Sequence, residues 1–219
     1  MNYYILKHSL DNEIIGTYPQ VEDAYYNCDI WEDPLFIDRI TFQNAPSEVK
    51  IANAILSKNA ELTDLISAFI SGFSLKLLIS KDLKRIFELS NNRDLQFIKS
   101  PVFYKNIKIE NYYTLNPIKI DFDYIDFNKS EIFLMENVFN KVEKLDLSSY
   151  NSFNDYLQNL NRDSMLSVYI ENYTLDKSKI KKDIFVLKFV EGGVQYIVSE
   201  HIRNIILENS ITGIDFSII

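Results

Sequence analysis

Few side chains in this chain invite a catalytic reading. Its two histidines are His8, on a predicted first strand, and His201, in the last predicted helix. Neither stands in a metal-spaced pattern such as H-E-x-x-H, where two imidazoles share one helix face. Cys28 is the single cysteine; beside a histidine it would make a nucleophile–base pair, but no local signature frames it. Asp121, Asp123 and nearby Asp126 form the kind of acidic set through which a hard cation is held. Residues 118–127, which carry them, alternate like a strand, with Asp121 and Asp123 on one face and Phe122 and Tyr124 on the other. Read that way, the aspartates mark a solvated face that discourages edge pairing, and no metal ligand is assigned. Five glycines supply neither G-x-G-x-x-G nor a P-loop, so neither common nucleotide cradle is expected. The reading is of a chain without catalytic, cofactor-binding or metal residues.

Two stretches look suited to contact instead. Asp29-Ile30-Trp31-Glu32-Asp33-Pro34 sets the sole tryptophan among three acids and ends at a proline. It reads either as a solvated loop whose Trp31 folds back on the core or as an exposed aromatic anchor with an acidic rim, Trp being enriched at interface hot spots. The second stretch is a predicted helix over residues 152–166. Phe153, Tyr156, Leu157 and Leu160 share one face, Ser152 stands as cap, and Asp155, Asn159 and Asp163 lie on the polar face. The candidate partner-binding residues are thus Asp29, Trp31, Glu32, Asp33, Asp155, Asn159 and Asp163.

Composition bounds the classes. A chain of 219 residues with 47% hydrophobic and 25% charged residues is ordinary for a globular protein able to bury a core. No apolar run approaches the ~18–20 residues a membrane helix needs, and the start lacks the marks of a signal peptide. One cysteine allows no internal disulfide, so a reduced, cytoplasmic setting is expected. The net charge of −8 argues against a general nucleic-acid binder and favours encounter with a basic partner.

The elements that must position these residues read as α+β, with mainly antiparallel sheet and helices packed on its faces. Predicted strands are residues 3–7, 40–42, 75–79, 95–104 (interrupted by Pro101), 112–115, 118–127 and 142–147, with a hairpin over 183–198 around Gly192-Gly193. Residues 21–27 suit one or two helical turns. Residues 47–71 suit either a strand near Ala52 or helices, with Thr63 as a cap. The last 24 residues form strand, Ser199-capped helix, a turn at Gly213 and strand, with Ile202, Ile205 and Ile206 on one face. An earlier stretch repeats them without a gap: Leu78-Ile79-Ser80 matches Ile197-Val198-Ser199, and Leu83, Ile86 and Phe87 match those isoleucines. This is either common strand–Ser–helix–strand grammar or a duplicated unit, and in both cases the two share one core.

The terminal pattern YIVSEHIRNIILENSITGIDF resembles the ending of a family of bacterial immunity proteins from polymorphic toxin systems, immunity family eleven, formerly a domain of unknown function. Similar stretches occur in the same order at Leu62-Thr63-Asp64-Leu65, Leu77-Leu78-Ile79-Ser80, Tyr112-Tyr113-Thr114-Leu115-Asn116-Pro117, Asp123-Tyr124-Ile125-Asp126 with Ser130-Glu131, and Asp183-Ile184-Phe185. The resemblance spans residues 61–219 of a single domain, 1–219. Residues 1–60 share only a tyrosine-rich first strand, and 152–166 looks like a helical insertion. It implies a non-enzymatic protein that binds a cognate, co-produced toxin and blocks it. A basic toxin, a nuclease by family habit, would match the chain's acidity. An adaptor domain with another partner and a metal-dependent enzyme using Asp121 and Asp123 are the other readings.

Overall fold

The computed structural model describes residues 1–90, 93–137, 140–160 and 165–219. In chain order the elements are β1 (Tyr3–His8), α1 (Asn12–Ile15), β2 (Val21–Tyr26), β3 (Ala52–Leu56), β4 (Leu65–Ile66), β5 (Leu77–Ser80), α2 (Lys81–Leu89), β6 (Leu95–Lys99), β7 (Val102–Tyr104) and β8 (Ile107–Ile109). Then come β9 (Tyr112–Pro117), β10 (Glu131–Glu136), β11 (Asn140–Leu145), α3 (Tyr150–Asn159), β12 (Leu166–Glu171), β13 (Ile184–Val190), β14 (Gly193–Ser199), α4 (Glu200–Glu208) and β15 (Ile214–Ile218). Four sheets result, ordered β13-β14-β1-β15, β4-β5-β9-β6, β2-β3-β7-β8 and β11-β10-β12. The β3–β7 pair is parallel and the other named pairs are antiparallel. The fold is α+β, mainly antiparallel.

The repeated grammar of the sequence is a repeated structure. β4, β5, α2 and β6 recur as β13, β14, α4 and β15 in the same register: Ile79 lies opposite Leu65 and Tyr113, and Val198 opposite Ile184 and Tyr4. Each helix starts at a serine in extended conformation whose hydroxyl accepts from amides of the first turn, satisfying donors that have no partner within the helix. Each of those serines also reaches back 16 residues to an aspartate, Ser80 to Asp64 and Ser199 to Asp183, giving the carboxylate its hydroxyl and the main-chain carbonyl its amide.

The central strands are exchanged. β1 lies between β14 and β15, and β9 lies between β5 and β6, so each half of the chain begins with a strand that completes the other half's sheet. The supporting bonds match: Lys81 N–H donates to Asn111 O as Glu200 N–H does to Asn2 O, and Ile118 N–H donates to Asp94 O as Ser9 N–H does to Gly213 O. One core joins the two sheets and helices, with Leu65, Ile79, Leu83, Phe87 and Leu115 of the first copy against Ile184, Val198, Ile202, Ile206 and Leu6 of the second. The outer faces are covered separately. The β2-containing sheet packs on Ile66 and Leu78; the β10-containing sheet and Phe153 of α3 pack on Phe185 and Ile197. Gly213 has φ +80°, and a Cβ there would run into the carbonyl of Leu65 and the hydroxyl of Thr63, so the turn needs glycine for close approach as well as for backbone angle.

Several sequence expectations change. Residues 21–26 form β2 instead of helical turns: Val21 and Ala24 have the i, i+3 spacing of a helix face, but a bulge between Val21 and Asp23 in the pairing with β3 lets both be buried in a strand. Residues 40–42 form no strand; Phe42 has φ +51°. Thr63 caps no helix: its hydroxyl donates to Leu65 O and accepts from Gln20 Nε2, and Leu65-Ile66 is a strand. Residues 118–127 are not an alternating strand. Asp121 precedes a 3-10 turn over Phe122–Tyr124, and a second covers Phe127–Lys129, which lets Phe122, Tyr124 and Phe127 all enter the core. The cap of α3 is Ser149, with Ser152 returning a hydroxyl to the Ser149 amide in a capping box. That helix stops at Asn159, and Leu166 already belongs to β12.

Candidate partner-binding surface

The connection from β2 to β3 carries the tryptophan. Asp29 Oδ1 accepts from the amides of Trp31 at 2.7 Å and Glu32 at 3.1 Å, and Asp33 Oδ1 accepts from Leu35 N–H at 2.8 Å. These short acidic side chains fold the backbone into turns by standing in for absent main-chain partners. Beneath them Phe36, Ile37, Ile40 and Ala45 form a small buried cluster, and Cys28, Ile30 and Val49 lean on it. Ile30 takes the inward place and Trp31 the outward one, at 76% exposure. The expectation that Trp31 folds back on the core is corrected: the turn that Asp29 builds aims it outward. Two of the three acids shape the loop as well as charge it, while Glu32 is exposed.

On the opposite flank, α3 buries Phe153 against Phe122 and Phe127. Asp155 and Asn159 face solvent, and Asn159 Nδ2 donates to Asp155 O at 2.8 Å. Asp163 lies outside the described residues. The structure does not unite the two candidate patches. The first joins β2 to β3, the second lies between β10 and β12, and they cover different core clusters.

Several of the groups considered for chemistry have other partners. Asp121 is buried, with Lys182 Nζ at 2.5 Å and Lys119 Nζ at 3.5 Å. Burial raises its carboxyl pKa and the two lysines oppose that rise. Lys182 also meets Asp94 at 2.6 Å; burial would lower its pKa, but its bonds to the two aspartates raise it. Asp126 pairs with Lys129 at 3.0 Å. The expected wet face is thus corrected at Asp121, which with Lys182 and Asp94 forms an ion-paired link between the two halves, a role with no local signal in the sequence. The Cys28 thiol is pushed up by burial and then by Asp33, with Lys50 pulling the other way, so it is held as a thiol, the poorer nucleophile. His8 packs edge-on to Phe69, with ring centres 6.1 Å apart, and burial lowers its pKa to about 4. His201 is exposed on α4.

No family model and no curated protein matches the chain. What the geometry adds is a division of labour. Asp64 and Asp183 with their serines, the exchanged strand β9 and the α4–β15 ending belong to the scaffold. Trp31 lies outside them. A feature absent from the sequence reading is a cleft of about 610 Å³ between β1, the β4–β5 connection and the β13–β14 turn, with Phe69 (62% exposed) and Tyr18 in edge contact on its lining. No helix among the described residues is long and apolar enough to cross a membrane.

Proposed function

We propose that this chain is an immunity protein that neutralises a co-produced bacterial toxin domain by binding it directly, acting in the cytoplasm of the producing cell. The observation that carries the reading is the outward Trp31 on an acidic turn. An aromatic anchor at 76% exposure supplies apolar contact area, and Asp29, Glu32 and Asp33 supply charge that steers a basic surface toward it. The net charge of −8 acts in the same direction at longer range. The resemblance to immunity family eleven supports the reading, and a nuclease is the first expectation for the toxin because clefts that hold nucleic acid are basic. An adaptor function with a different basic partner is the second reading and rests on the same patch.

The test is co-expression with the product of the adjacent upstream gene. Equimolar co-purification and rescue of cells expressing that product are expected; neither occurring would remove the reading. In the complex, Trp31→Ala should weaken binding by about 2 kcal/mol or more and leave thermal stability unchanged, because the ring packs on little. The variant D29N/E32Q/D33N keeps side-chain acceptors that can hold the turn while removing charge. It should slow association, and its difference from the parent should fade in high salt.

A further inference from the structure

The strand that leads into the Trp31 turn carries another exposed aromatic residue. β2 turns Val21 and Ala24 inward, and β3 and β7 add Ala54, Leu56 and Val102 to the same buried layer. Their neighbours in sequence point the other way. Tyr25 of β2 and Phe103 of β7 come from strands on either side of β3, and their rings meet across it, edge to face, with centres 4.8 Å apart. Ile55 of β3 lies opposite both Phe103 and Asp23. The outer face of this sheet thus bears an apolar strip, with Tyr25 at its β2 end 55% exposed.

Charge along the strip is uneven. Toward β8 the bases are matched within the chain: Glu110 pairs with Lys99 at 3.0 Å and with Lys108 at 2.7 Å, and Lys105 Nζ lies 4.4 Å from the centre of the Tyr104 ring. Toward β2 the charge is acidic. Glu22 and Asp23 are exposed there, and Asp29 and Glu32 follow, exposed, in the turn beyond. Asp23 and Tyr25 are two residues apart on one strand, which sets them on one face roughly 7 Å apart. Asp23 Oδ1 accepts from the Ala24 N–H at 2.8 Å, and that bond holds the carboxylate close to its strand.

We infer that the toxin's contact runs from Trp31 along β2 onto this face, and that an arginine of the toxin lies on the Tyr25 ring with its guanidinium paired to Asp23. A guanidinium is planar and weakly hydrated, so it stacks on an aromatic face while its in-plane N–H groups bind a carboxylate; a compact, strongly hydrated ammonium does the two together less well. The acids of β2 and its turn complement a basic surface, and the rings of Trp31 and Tyr25 give that surface apolar contact. The inference rests on the immunity reading for the source of the arginine and adds to it a site and a residue type.

Two measurements with the full-length chain keep the inference and that reading apart. In the first, a nona-arginine peptide and a nona-lysine peptide are each titrated into the isotope-labelled protein. Amide signals of Tyr25, Asn53 and Phe103 should move with the arginine peptide at a concentration about threefold or more below that needed with the lysine peptide, and Tyr25→Ser should remove the difference. Shifts confined to the Trp31 turn, or equal for the two peptides, overturn the inference. The second uses the complex with the upstream gene's product. There Tyr25→Ser should weaken binding about tenfold or more, Tyr25→Phe should restore it, and Asp23→Asn, which keeps an acceptor for the Ala24 amide, should weaken it and reduce its salt dependence. A complex indifferent to both Tyr25→Ser and Asp23→Asn overturns the inference and leaves the immunity reading standing. Failure of the complex to form removes the immunity reading, and arginine-selective shifts at Tyr25 would then support the surface apart from it.

Discussion

At the scale of single residues, burial decides which groups are available. His8 sits on a central strand against Phe69, and its folded pKa of about 4 lies below its ordinary 6.5. Between those values the unfolded chain binds more protons than the folded one. Stability from this group is therefore full above pH 6.5 and falls as pH drops toward 4, by about 3 kcal/mol in all. Denaturant midpoints measured from pH 7 to pH 4 should show that fall, and His8→Phe should flatten this part of it. A parent and variant with identical slopes would show that His8 is protonated freely in the fold. Asp121→Asn belongs here too. It leaves Lys182 half-buried with Asp94 as its remaining acidic partner, and a loss of about 2–4 kcal/mol is expected. A test for a metal role at Asp121 would be confounded by that loss, so Asp123→Asn is the cleaner probe.

At the scale of elements, the two Ser-capped helices are equivalent by bonding. Ser80 and Ser199 each satisfy the helix start and bind an aspartate 16 residues back. Ser80→Ala and Ser199→Ala should therefore each cost about 1–2 kcal/mol, similar in size, read by chemical denaturation. A silent Ser199→Ala beside a costly Ser80→Ala would show that the copies are alike in shape but not in energetics. On α4 the inward face is sharper than its periodicity implied. Ile206 is fully buried and Ile205 partly buried, so Ile206→Ala should cost about 2–5 kcal/mol and Ile205→Ala less.

At the scale of the whole molecule, strand exchange makes the halves interdependent. Without β1 the β14 and β15 strands lose the strand between them, and without β9 so do β5 and β6. Residues 1–110 and 111–219 expressed separately should each lack a cooperative unfolding transition, since each sheet would be left without its centre and with apolar surface exposed. Mixed at equal concentration, they should recover one transition and the near-UV signal of the parent. Two separate transitions in the intact chain would contradict this coupling.

What the sequence determined by itself was what local chemistry controls. The Ser-capped helices, the Gly192-Gly193 hairpin, the break at Pro101 and the match of residues 78–98 to 197–217 all follow from caps, turn residues and periodicity, which act within a few residues. The exposed Trp31 was one of two readings of its loop, and only the inward packing of Ile30 beside it separates them. The tertiary structure alone decided the exchange of β1 and β9 and the pairing of Asp121 with Lys182. Alternating aspartates and aromatics at 121–124 predict a half-wet strand; the structure turns them into a 3-10 segment because Phe122 and Tyr124 find a core on one side and Lys182, distant in sequence, neutralises Asp121 on the other. Contacts between residues far apart in sequence leave no periodic trace, so no local pattern could have shown which strand lies between which.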